Sequence, residues 1–224
     1  MTPSWCRTSC WHQHLHDTNE PNVNEGYDTP YDKPFCYYVR RSGHLTSLAT
    51  GLRSTAIPTE IFDLPVHEIR RGYRSDVYFW RAKRTLEASH RSNTATVQVF
   101  QKGEAVVCGI EEALAILMLG IGHYRNSNHA FELFDHYIEQ KRRIRSLYRA
   151  DPEQLREALD ERKRIETALD DEWVSDLGQI SVSSLRDGDS IVPWETVLLI
   201  EGPLSEFIHL ETLYLGVLAR RTRI

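Results

Sequence analysis

The chain reads as an α+β domain, a mixed sheet with helices on one face, and three observations predict it. Residues 97–118 pass from an alternating strand through a Lys-Gly turn and a second strand into a helix, a succession of α+β kind. Residues 129–172 are two charge-dense helical stretches split at Asp151-Pro152. Residues 195–200 are an apolar strand that runs through Gly202-Pro203 into a helix with apolar residues on nearly every side of its second half. Such a helix requires burial.

The elements follow in order. Residues 1–55, rich in Asn, Ser, Thr and Pro, show neither strand nor helix periodicity and read as a disordered leader. Cys6, Cys10, His12, His14 and His16 are zinc-ligand types, but alternating histidines without a second ligand pair downstream make a poor tetrahedral cage, so a plain tail is the simpler reading. From residue 56 the chain reads as folded, with Ile61, Phe62, Leu64, Val66 and Ile69 as anchors and a loop over 71–75. Ser75 or Asp76, both good cap types, starts a helix that lines Tyr78, Phe79, Ala82 and Leu86 along a buried side. Val97 and Val99 mark a strand, Lys102-Gly103 a turn, Ala105 to Cys108 a short strand. Beyond Gly109 a helix turns Ala113, Leu114, Leu117 and Met118 inward.

The charged hairpin comprises helices over about 129–149 and 152–172, the second with Asp151 as cap and Pro152 in its first turn. Leu155, Ala158, Leu159, Ile165 and Leu169 form its narrow apolar seam. Glu139 with Arg143 and Asp160 with Arg164 stand at i,i+4, each pair worth about 0.2–0.5 kcal/mol. Arg186 to Asp189 is a turn, and the strand from Glu195 to Ile200 is apolar enough to be central. Residues 56–200 therefore read as one domain and 201–224 as a connector helix. The face of that helix bearing Leu213, Val217 and Leu218 is expected to stand open as an apolar patch awaiting a partner.

Composition narrows the function classes. A net charge of -5 and a pI near 6.1 leave no footprint for nucleic acid or an anionic membrane. Glu206, His209 and Glu211 interrupt the closing apolar run, and the first thirty residues hold no signal-type apolar core, so the expectation is a cytoplasmic protein. Cysteines at 6, 10, 36 and 108 make no disulfide framework, and Cys108 reads as a small buried strand residue. His209 reads as a hydrogen-bonded core histidine, and His123 and His129 as exposed loop residues.

Two blocks carry a resemblance. WETVLLIEGPLSEFIHLETLYLGVLARRT (Trp194 to Thr222) resembles the strand and helix joining the amino-terminal domain to the barrel in nicotinate phosphoribosyltransferases. YRSDVYFWRAKRTLE (Tyr73 to Glu87), followed by VQVFQKGEAVVCGIEEALAIL (Val97 to Leu117), resembles that family's opening, with its D-x-Y motif. The blocks cover a little under a third of the chain in the family's order, and the segment matching the barrel is absent from this sequence, as for a fragment or one half of a split enzyme. Quinolinate phosphoribosyltransferase shares the layout, but D-x-Y and E-G-P fit the nicotinate branch better.

The resemblance implies an α+β amino-terminal domain of a type II phosphoribosyltransferase, acting as a homodimer. The complete enzyme would join nicotinate to phosphoribosyl pyrophosphate, giving nicotinate mononucleotide for NAD biosynthesis, with Mg²⁺ and coupled ATP hydrolysis. It implies that Tyr78 stacks on the pyridine ring across the dimer, that Asp76 supports it, and that Glu211, Thr212 and Thr222 match the connector's motif. Arg220 and Arg221 suit a carboxylate or phosphate, although a helix end complementing its own dipole is the simpler role for both. The phosphate-binding groups, and so catalysis, would belong to the barrel. An interaction module that uses the hairpin and the closing helix is the rival reading.

Overall fold

The computed structural model describes residues 59–89, 93–147 and 151–222, and the backbone of 46–47. The leader's cysteines and histidines lie outside the described residues, while Thr46–Ser47 (β1) departs from the reading of 1–55 as unstructured by pairing with Ser183 and Ser184. A 3-10 turn over Thr59–Phe62 and helix α1 (Val66–Arg70) lead to α2 (Val77–Ala88). Strands β2 (Thr94–Phe100) and β3 (Ala105–Val106), α3 (Ile110–Gly120) and β4 (His123–Tyr124) follow. The hairpin is α4 (Ser127–Leu147) with α5 (Pro152–Glu172). Then come β5 (Trp173–Val174), a 3-10 turn at Leu177–Gln179, β6 (Ser181–Ser184), β7 (Ser190–Ile191) and β8 (Thr196–Pro203). The closing helix is broken into α6 (Leu204–Phe207), a 3-10 turn at Ile208–Leu210 and α7 (Glu211–Arg221).

The main sheet runs β1-β6-β8-β2, with β8 inside as its apolar sequence requires. Every pairing in it is antiparallel, which corrects the expected mixed sheet. A parallel neighbour needs a long crossover, whereas β6 returns to β8 through a turn and one short strand. Register sorts the two faces. Ala95, Val97 and Val99 stand opposite Gly202, Ile200 and Leu198, and Val182 pairs with Ile200 on its other side, so one face is apolar. Thr96 and Ser181 flank Glu201 on the opposite, polar face, where the Thr96 hydroxyl donates to the Glu201 carboxylate at 3.3 Å. Gly202 has φ +152, and a Cβ there would come within 2.7 Å of the Gln179 carbonyl, so this crowded bend of β8 admits only glycine comfortably.

Helices cover the apolar face. Ile69 of α1, Phe79 of α2, Ala113, Leu114 and Leu117 of α3, and Val217 and Leu218 of α7 join the strand residues in one core. Val217 is 3% exposed and Leu218 1% exposed, with Leu213 partly buried against the same core. That corrects the expected open patch: α3, hydrophobic on most sides, supplies the cover from within the chain. The α4–α5 hairpin has a smaller core of its own, built from Tyr124, Ala130, Phe134, Tyr137, Ile165 and Leu169. Asp151 Oδ1 accepts from the backbone N–H groups of Glu153 and Gln154 at 3.0 and 3.1 Å, the expected cap. Leu159 falls outside the seam, and Arg143 reaches across to Glu157 at 3.3 Å instead of along its own helix to Glu139. No helix among the described residues is long and apolar enough to cross a membrane.

Candidate functional site

Helix α2 starts where the loop over 71–75 turns extended at Asp76, whose carboxylate makes no capping bond. Its backbone N–H instead donates to the Thr212 hydroxyl at 3.1 Å, fastening the start of α2 to the start of α7. The D-x-Y and E-T motifs, 136 residues apart at this bond, therefore share one locus. Phe79 is buried and anchors the helix, while Tyr78 is 57% exposed with its ring centroid 4.1 Å from that of Phe79. The expectation of a buried Tyr78 is thus corrected: the helix rotates Phe79 and Lys83 inward and leaves Tyr78 facing out. Glu211 is buried beside Tyr214, whose phenol is pushed well up by burial and further by the Glu211 charge.

Arg220 and Thr222 belong to the other end of α7, roughly 13 Å along the axis at 1.5 Å per residue. Arg220 is exposed, and its Nε donates back to the Gly216 carbonyl at 3.1 Å. The Thr222 hydroxyl donates to the Cys108 carbonyl at 3.1 Å and accepts from the Cys108 N–H at 3.3 Å, clasping α7 to the loop before α3. Arg221 pairs with Glu112 of α3 beside that clasp. The bond therefore brings Asp76, two residues before Tyr78, to Thr212, the residue after Glu211, and Arg220 and Thr222 stand apart from that junction. Cys108 is exposed rather than buried, because the chain here alternates Val107 and Gly109 inward with Val106 and Cys108 outward.

A cleft of about 520 Å³ opens beside the start of α2, lined by Arg71, Ser75, Val77, Trp80, Phe134 and Arg142 among others. The Arg71 guanidinium lies 4.6 Å from the Trp80 ring centroid and 3.7 Å from that of Phe131. Burial lowers its pKa, partly offset by Tyr124 and Asp135, and its Nε is buried without a hydrogen-bond partner. A guanidinium flanked by aromatic rings with an uncommitted N–H is suited to a planar anion. Residue-by-residue reading missed this cleft; its signal was the doubled arginine of RRGYR directly ahead of D-x-Y.

Comparison with protein-family models, curated proteins and solved structures finds no match. The site thus stands on its own geometry. Magnesium commonly takes one or two carboxylates and completes its shell with water and phosphate oxygens. Among the described residues, neither Asp76 nor Glu211 belongs to a group of three ligand-type side chains.

Proposed function

We propose that this chain is a nicotinate phosphoribosyltransferase-like domain whose Tyr78 platform presents an aromatic ring to a pyridine carboxylate. The observation that carries the reading is the Asp76 N–H to Thr212 hydroxyl bond, which joins the two motif blocks on one surface. The register of β2 on β8 supports it, since Val97–Phe100 of one block pairs directly with Thr196–Ile200 of the other. The α4–α5 hairpin, which belongs to neither block, builds a separate small core.

In this reading Trp80, which lines the cleft beside Arg71, supplies aromatic surface there, and Tyr78, exposed outside that cleft, presents its ring to a neighbouring site, a stack adding about 1 kcal/mol beyond area burial. Arg71 takes the carboxylate, and its lowered pKa still leaves a cation because a guanidinium starts far above neutrality. Phosphoribosyl transfer needs the pyridine nitrogen held in line with the ribose carbon and charge stabilised as pyrophosphate leaves, with no nucleophilic side chain. The pyrophosphate contacts are assigned to a barrel-bearing segment or partner that completes the enzyme, and homodimerisation brings Tyr78 to a neighbouring site. The rival reading as an interaction module loses one of its two surfaces, since α7 is covered by α3.

The test is nicotinate mononucleotide formation by this chain co-expressed with the polypeptide encoded directly downstream, supplied with nicotinate, phosphoribosyl pyrophosphate, Mg²⁺ and ATP. Activity that needs both polypeptides and falls at least about tenfold in Tyr78→Ala, the size of one lost ring stack with its burial, upholds the reading. Activity unchanged by Tyr78→Ala, or none from the pair, overturns it.

A further inference from the structure

A second cleft, of about 590 Å³, has His123 and Glu206 in its lining, and three chain segments converge there. His123 comes from β4, Asp176 from the turn before the 3-10 segment at 177–179, and Glu206 from α6. His123 Nδ1 lies 2.9 Å from Asp176 Oδ2 and 3.4 Å from Glu206 Oε2, and the three donor atoms are all within 4.8 Å of one another. Bonds of about 2.0–2.2 Å to one ion put neighbouring ligands about 2.8–3.1 Å apart at right angles and about 3.3–3.6 Å apart at tetrahedral angles. Both separations from His123 fall in those ranges.

The contacts are at ion-pair distance, but no hydrogen bond of good geometry accompanies them. His123 Nδ1 and Glu206 Oε2 are both shut off from solvent and lack a hydrogen bond of acceptable geometry. The sister oxygens, by contrast, are held: Gln179 Nε2 donates to Asp176 Oδ1 and the Ser205 hydroxyl to Glu206 Oε1, each at 3.3 Å. That leaves Oδ2 and Oε2 to face the imidazole, as outer partners orient metal ligands. Buried Lys83 fixes the backbone on both sides, donating to the carbonyls of Gly122 at 2.9 Å and Ser205 at 2.7 Å, the residues just before His123 and Glu206. A Cβ on Gly122 would stand 2.2 Å from the Val174 carbonyl, so glycine permits β4 to approach the strand that leads to Asp176. Lys83 and Arg84 lie 3.3 and 3.6 Å from Glu87. The Lys83 charge is also felt by Glu206 and Asp176, but among the described residues no ammonium or guanidinium is within ion-pair distance of either carboxylate.

We propose that His123, Asp176 and Glu206 bind one divalent first-row transition cation, with water in the remaining positions. Two carboxylates and one imidazole match Mn²⁺ in hardness, and the nitrogen donor sets the site apart from Mg²⁺, which prefers oxygen. Cys6, Cys10 and the nearby histidines could take Zn²⁺ in their own right, so the probe is Mn²⁺, for which thiolates have little preference.

The full chain is titrated with MnCl₂ while the free-ion signal is followed by electron paramagnetic resonance, and the bound ion is examined by spin echo. One site with nitrogen modulation in the echo is expected. His123→Ala should abolish that modulation and, like Glu206→Gln, weaken binding about 100-fold, while Gln179→Ala should weaken it about tenfold. Absence of binding, or binding indifferent to both His123→Ala and Glu206→Gln, overturns the proposal.

Discussion

Replacing His209 should remove a specific part of the protein's sensitivity to acid. The ring is fully buried against Trp80, with centroids 6.3 Å apart, and neither nitrogen makes a hydrogen bond of ordinary geometry. Burial, reinforced by the Lys83 cation and only partly offset by the Gly120 backbone, holds its pKa well below the usual 6.5. Below pH 6.5 the unfolded chain therefore takes up a proton that the native chain refuses, so native stability falls as the pH drops. That single proton removes at most about 1.4 kcal/mol between pH 7.5 and pH 5.5, the limit reached when the native ring stays neutral throughout. His67, also lowered chiefly by burial, acts in the same direction in wild type and variant alike. The assay is urea unfolding of wild type, His209→Leu and His209→Gln at both pH values, reading the change with pH rather than the starting stability. Each variant should lose less than wild type over that interval, by up to about 1.4 kcal/mol. Equal losses in all three would refute the assignment of a neutral buried imidazole.

Three further outcomes follow from the same structure. Lys83→Met should cost on the order of 3 kcal/mol by chemical denaturation, because it strips the donor from the Gly122 and Ser205 carbonyls and the cation from Glu87. Burial alone would raise the Glu68 carboxyl, but hydrogen bonds from Lys141 and Arg74 hold it below the usual range. Its stabilisation is therefore present above about pH 4.5, near the unfolded value, and is lost as the pH falls through the lower native value, so acid titration of Glu68→Gln should lack that component. Asp151→Ala removes two capping bonds from α5 and should lower thermal stability by about 1 kcal/mol.

The sequence carried the elements well wherever one local rule governed them. The AspPro start of α5, the strand inside 195–203 and the helix after Gly109 follow from a capping pair, a continuous apolar run and a glycine ahead of an apolar-periodic stretch. Non-local choices were hidden. Nothing near Val217 announces that α3 will cover it, and an apolar helix reads the same whether its partner is 100 residues away or on another chain. Lys83 was missed because a lysine on a helix is ordinarily solvated, and only the carbonyls of residues 122 and 205 make its burial tolerable. The Asp76–Thr212 bond uses a backbone N–H, which every residue but proline has, so the motif spacing could suggest the meeting of the two blocks but not its geometry. The cation cluster draws one residue from each of three segments, and no spacing along the chain could reveal it.

The proposed function requires that a pyridine carboxylate bind through Arg71 and an aromatic ring at the start of α2. Ligand-observed magnetic resonance on the full chain compares nicotinate with nicotinamide and is repeated on Arg71→Leu and Tyr78→Ala. Saturation transfer to nicotinate should stand well above that to nicotinamide, be lost in Arg71→Leu and be reduced in Tyr78→Ala. Equal transfer to both ligands, or transfer to nicotinate that survives both substitutions, would refute that function.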